Sequence, residues 1–155
     1  RTEKSKTGGI VLDRRIRRIV AYYVRRFGTA DPFRIAGELG IKVFYHPLGS
    51  STVGMYKYLE HTKCIFINSD IDDEEYLKIV MAHELGHAIL HWKENCCFMA
   101  HKTLLLTSHI ESDANMFAAY LLIDDDMLQD YAGCTREQFC QCTGYPEELI
   151  ELRLK

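Results

Sequence analysis

The stretch Met81-Ala82-His83-Glu84-Leu85-Gly86-His87-Ala88-Ile89-Leu90-His91 decides how this 155-residue chain is read. It contains His-Glu-x-x-His. On a helix, residues four apart stand on one face, one turn above the other. His83 and His87 therefore aim two imidazoles at one point. Imidazole suits Zn²⁺, and a catalytic zinc typically has three protein ligands and one open position. Glu84 follows His83 directly and so stands beside such an ion. A carboxylate there takes a proton from a water whose pKa the ion lowers to about 7. This is the pattern of a zinc metallopeptidase helix. Leu77, Met81, Leu85, Ala88 and Trp92 recur at helical spacing and predict its apolar back face. Val80, His83, Glu84, His87 and His91 fall on the other face. Three imidazoles and a carboxylate on one face are hard to explain as core, which argues against a chance match.

A third ligand is required. A histidine ten residues after His83 would continue the metzincin pattern, but Lys93 stands there and excludes that branch. The alternative is a glutamate on a following helix. Glu111 opens such a helix: Glu111-Ser112-Asp113-Ala114-Asn115-Met116-Phe117-Ala118-Ala119-Tyr120-Leu121-Leu122. Ser108 and Glu111 also fit Ser-x-x-Glu, so a capping box would account for Glu111 as well. His91 and His109 are rival ligands, although His91, two turns beyond His83, drifts off its line.

Taken together, His83-Glu84-Leu85-Gly86-His87-x-x-Leu90-His91 and Glu111-x-x-Ala114-Asn115-x-Phe117-Ala118-x-x-Leu121-Leu122 resemble the ImmA/IrrE family of metallopeptidases, gluzincin-like in their motifs, over the span Asp31 to Leu122. The resemblance implies that His83, His87 and Glu111 hold Zn²⁺, with Glu84 as general base. It also implies an intracellular regulatory protease that cleaves or antagonises a helix-turn-helix repressor, of the kind encoded on phages and mobile elements. One departure is visible. The family usually follows Leu-Leu with Met-Pro, where Ile123-Asp124 stands here. Asp113 and Asn115 are candidates for orienting a metal-bound histidine, and Asn115 shares a helix face with Glu111. Tyr56, Tyr120 and His109 are candidates for stabilising an oxyanion. Function resides in the site and not the scaffold. The rival expectation is a zinc-stabilised anti-repressor that captures its partner without cutting it.

The rest of the chain predicts a single zincin-like metallopeptidase domain over residues 13–155, preceded by a flexible tail at 1–12. The fold class expected is α+β, with about six helices and a small three-stranded sheet. At 47% apolar and 26% charged, the composition is that of a globular domain and not of a disordered chain. No run of 18 apolar residues predicts a membrane span, and no apolar stretch near the start predicts a signal peptide. The six cysteines form no paired Cys-x-x-Cys knuckles and read as reduced thiols of a cytoplasmic protein. Asp13 is the expected cap of a helix running to Phe27, with Ile16, Ile19, Val20, Tyr23, Val24 and Phe27 on one stripe and Gly28 ending it. Asp31-Pro32 starts a second helix. Strands are expected at 41–46, 52–59 and 63–68, with Glu60-His61-Thr62 as the hairpin loop. Asp72 with Glu75 fits the capping box of the metal helix, and a loose connector with Leu104-Leu105-Leu106 follows Trp92. Asp124 to Asp126, Thr135 with Gln138, and Pro146 open three later helices.

Residues 1–26 hold 9 Lys/Arg against 2 Asp/Glu, and the remainder holds 10 against 20. Such asymmetry raises the question of a nucleic-acid contact. No recognition-helix or aromatic pattern accompanies the arginines, so they read as a solvated face pairing with an acidic body. Charge reversal at Arg14 and Arg18 is accordingly expected to leave retention on DNA unchanged at physiological salt. A salt-steep DNA affinity that disappears on reversal would show phosphate contacts instead.

Overall fold

The computed structural model describes residues 3–99 and 108–155, with backbone alone at 3–12 and 97–99. Leu104-Leu105-Leu106 of the expected connector lies outside the described residues. Seven helices stand among them: α1 (Glu3–Phe27), α2 (Pro32–Glu38), α3 (Glu74–Leu90), α4 (His109–Leu122), α5 (Asp125–Asp130), α6 (Arg136–Thr143) and α7 (Glu147–Leu154). Four strands, β1 (Lys42–His46), β2 (Thr52–Leu59), β3 (Thr62–Asn68) and β4 (Cys96–Met99), form one sheet in the order β1-β3-β2-β4. The α+β class is as the sequence predicts. The sheet, however, has a fourth strand. Residues 96–99 are too few to carry an alternating pattern, and their strand character comes from long-range antiparallel pairing with β2.

β1 runs parallel to β3, and β2 runs antiparallel to β3 with Leu59 opposite Thr62. The expected three-residue loop is therefore a two-residue turn. Glu60 and His61 sit at φ 46° and 64°, the left-handed pair that a primed hairpin turn requires. The first helix also starts earlier than the Asp13 cap predicts, since its backbone is helical from Glu3. Gly8 and Gly9, within the expected tail, each cost about 1 kcal/mol relative to alanine, which weakens a helix without ending it. The arginines at 14, 15, 17, 18, 25 and 26 are exposed, and Arg17 meets Asp125 at 3.3 Å.

α3 is the centre of the molecule. Every residue from Ile79 to Ala88 is buried. The sequence predicts one apolar and one polar face, but α3 packs against α4, α2 and the sheet, so its polar face also lies inside. Its cap is Asp73, not Asp72: the Asp73 carboxylate accepts from the backbone N–H groups of Glu75 and Tyr76 at 3.0 and 3.2 Å. Trp92 is not on the helix, which ends at Leu90 with His91 as cap. It stacks edge-on against Tyr58 instead.

α4 crosses α3 where both are small. A Cβ at Gly86 would lie 3.1 Å from the Cα of Ala114, 3.2 Å from its carbonyl oxygen and 3.1 Å from the Cβ of Phe117. Two of those neighbours are backbone and cannot swing aside. The far end of α4 is fixed by Arg153 of α7, whose Nε donates to the Ile123 carbonyl at 2.6 Å. Asp124, where the resemblance leads one to expect proline, caps α5 by accepting from Met127 N at 2.8 Å. Gly86→Ala adds helix propensity but forces the helices apart. Overpacking of this kind costs about 1–3 kcal/mol. Denaturant unfolding is expected to show that loss, and an unchanged or raised midpoint would mean that the crossing is not tight.

Candidate metal centre

Successive turns of α3 carry His83 and His87, and the first turn of α4 carries Glu111. The helix crossing at Gly86 brings them together. His83 Nε2 lies 3.0 Å from His87 Nε2 and 3.0 Å from Glu111 Oε2, and His87 Nε2 lies 3.2 Å from Glu111 Oε1. Both imidazoles are fully buried. Ser108 caps α4 through the Glu111 N–H at 3.4 Å. The cap therefore uses the backbone of Glu111, while its carboxylate is turned toward the histidines.

Asn115, one turn along α4, accepts from the Nδ1–H of His83 at 2.7 Å. That bond fixes Nδ1 as a donor and leaves Nε2 as the ring atom turned to Glu111. Asp113 makes no such contact with the pair. Its carboxylate meets His91 Nε2 at 2.8 Å and His109 Nε2 at 3.5 Å. His91 and His109 thus stand together with Asp113, and neither joins His83 and His87. Of the oxyanion candidates, Tyr56 is buried and donates its hydroxyl to the Trp92 carbonyl at 2.6 Å. Tyr120 lies under the Arg153 guanidinium, and His109 is exposed.

Glu84 is fully buried, and neither carboxylate oxygen has a hydrogen-bond partner among the described residues. Burial first, and then repulsion from Glu111, pushes its carboxyl well above the usual range. Burial also tends to raise Glu111, but hydrogen bonds with His83 and His87 prevail and hold it well below that range. Burial lowers His87, against the hydrogen bond that Glu111 accepts from it. The favoured forms are a carboxylate and a neutral imidazole, which are those that bind metal.

The donor set fits a divalent metal. Two ring nitrogens and a carboxylate 3.0–3.2 Å apart in a protein interior are held together by protons or by a cation, and their spacing suits an ion shared among them. Donors held roughly 2 Å from one tetrahedral ion stand little more than 3 Å from each other.

One contributor escapes the sequence patterns. Gly54 of β2 faces α3, where a Cβ would meet Val80 Cγ1 at 2.8 Å and Glu84 Oε1 at 3.0 Å. The sequence marks Gly54 only as a weakness in a strand. An isolated strand glycine is also the signal for close approach of another group.

Comparison with known proteins bears on this geometry. Residues 36–154 match the peptidase family described as the IrrE N-terminal-like domain. The chain belongs to the ImmA/IrrE family of metallopeptidases. It is 34% identical over 140 residues to a protein of Bacillus phage phi105 named "Uncharacterized immunity region protein 2", covering 89% of this chain and 88% of that one. It is 26% identical over 148 residues to "Metallopeptidase ImmA" of Bacillus subtilis (strain 168), covering 90% of this chain and 83% of the relative.

The unpartnered Glu84 carboxyl predicts a pH dependence. A group raised on folding contributes stability below its ordinary value, and that contribution is lost as pH rises through the raised one. Metal-free Glu84→Gln is therefore expected to be more stable than metal-free wild type at about pH 8, with the gap closing toward about pH 5. Denaturant melts at several pH values measure it. A gap that does not vary with pH would show that Glu84 ionises freely in the fold.

Proposed function

We propose that the chain is a zinc-dependent endopeptidase of phage or mobile-element immunity, acting in the cytoplasm on a helix-turn-helix repressor. The observation that carries this reading is the buried, unpartnered Glu84 carboxylate beside the His83–His87–Glu111 cluster. His83, His87 and Glu111 would hold Zn²⁺ as a two-imidazole, one-carboxylate set with a position left open. When bound, the ion polarises the scissile carbonyl and acidifies a water.

The other steps fall to the chain's own residues. Glu84 accepts the proton of the attacking water and then passes it to the nitrogen of the departing amine. Its burial suits both tasks, since a carboxyl raised toward neutrality is a better base and then a usable acid. Gly54 leaves the room that Glu84 occupies, and Asn115 holds His83 to one tautomer. An extended substrate is read along the sheet edge formed by β4, by main-chain pairing. The regulatory part of the reading is supported by the relatives, one named for an immunity region and one as a metallopeptidase.

Glu84→Gln tests the reading, because it keeps shape and hydrogen-bonding reach but cannot take the proton. Turnover is expected to fall at least ~10²-fold, in line with the ~10²–10⁴ typical of a general base. Zinc content should stay as in wild type. In a co-expression reporter, the variant should leave repression in place and the repressor at full length on a gel. Derepression with the repressor intact would mean capture without cleavage.

A further inference from the structure

A second set of donor atoms converges one helical turn from the first. His91 caps the C-terminal end of α3, and His109 and Asp113 lie one turn apart at the start of α4. The two imidazoles and the Asp113 carboxylate place one donor atom each within 4.8 Å of one another. From this geometry we propose that His91, His109 and Asp113 form a second, exchangeable Zn²⁺ site, distinct from the buried centre.

The Asp113 carboxylate is the anchor. Its residue is 5% exposed, and its ion-pair partners among the described residues are His91 and His109. Neither imidazole is a permanent cation. A buried carboxylate with no lysine or arginine paired to it among the described residues is the kind of group that takes a metal. The local field sharpens the need. Asp13 of α1 is raised by burial and, against the influence of Lys155, by Asp113, so a second carboxylate bears on the same place.

A histidine–carboxylate hydrogen bond alone accounts for part of the cluster, since His91 and Asp113 are 2.8 Å apart. It does not account for His109. The His109 nitrogen stands 3.5 Å from the same oxygen, too long for a good hydrogen bond. A ring nitrogen at that distance from an oxygen already shared is placed as a further donor to an ion between them. Two nitrogens and one oxygen select Zn²⁺ over calcium or magnesium, which prefer all-oxygen shells. Because the His109 side chain is 69% exposed, the ion would exchange readily, unlike one held by His83, His87 and Glu111. Its effect would be mechanical. It would bind the end of α3 to the turn of α4 that also carries Glu111.

The test is a Zn²⁺ titration of the chelator-treated chain under reducing conditions, read by calorimetry and by elemental analysis after equilibrium dialysis. Wild type is expected to take up two equivalents, one tight and one weaker. His109→Ala alters a surface residue and should not disturb folding. It is expected to weaken the second equivalent at least ~10-fold, the scale seen when a partner of a metal site is removed, and to keep the tight one. Asp113→Asn preserves the acceptor for His91 and is expected to do the same. Glu111→Gln should give the reverse pattern, losing the tight equivalent and keeping the weaker. Saturation of wild type at one equivalent would overturn the proposal, as would a second equivalent unchanged in His109→Ala. Neither result touches the peptidase reading, which rests on the tight equivalent and Glu84.

Discussion

The close approach of α3 and α4 at Gly86 and Ala114 is the constraint on which the site depends. Imidazole and carboxylate side chains are short, so donors on two helices share a point only if the backbones nearly touch. Here a Cβ on residue 86 would stand 3.1 Å from the Cα of Ala114. His83 and His87 flank that glycine on one helix, and Glu111 and Asn115 flank the alanine on the other. The four side chains consequently reach each other at 2.7–3.2 Å. A bulkier residue at the crossing would leave every ligand in the sequence and still take Glu111 out of range.

The same approach explains why a polar cluster can stand inside a core. α3 is enclosed on all sides, with Met81, Leu85 and Ile79 packed among Ile65, Ile67, Phe117 and Leu149. Burying two imidazoles and two carboxylates in such a place is costly unless each polar atom finds a partner. His83 and Glu111 do so through Asn115 and the mutual contacts of the cluster. Glu84 and the Nδ1 of His87 do not. Packing therefore holds the helix in place and leaves a few polar groups unsatisfied, as functional sites commonly do.

Much of this was legible because it is local. A capping residue acts on its own first turn, so Asp31, Ser108 and Thr135 with Gln138 mark helix starts where the structure has them. The spacing of His83 and His87 fixes their common face before any tertiary contact forms. Glu111 is less legible, because Ser-x-x-Glu and a ligand role make the same residue pattern, and only the crossing of two helices brings its carboxylate to the histidines. What was not legible depends on partners distant in sequence. β4 is a strand because β2 pairs with it. Gly54 reads as a flaw in β2 until Glu84 is seen against it. The predicted polar face of α3 is real as a pattern, yet it lies inside because α4 and the sheet cover it.

Two glutamates close to one another are driven to opposite behaviour, and that divergence divides the labour between them. Glu111 opens a helix, where the dipole favours a negative charge, and its oxygens face two ring nitrogens. It is held ionised, the form that the proposed metal site requires. Glu84 sits mid-helix under β2 with apolar walls, no donor, and the charge of Glu111 nearby. Its proton is correspondingly hard to remove. Environments that push two neighbouring carboxyls apart in this way suit one to holding charge and the other to moving protons, as the proposed function requires. The assignment does not come from the residue type, which is the same, nor from the distance along the chain. It comes from which glutamate the fold supplies with hydrogen bonds and which it leaves without any.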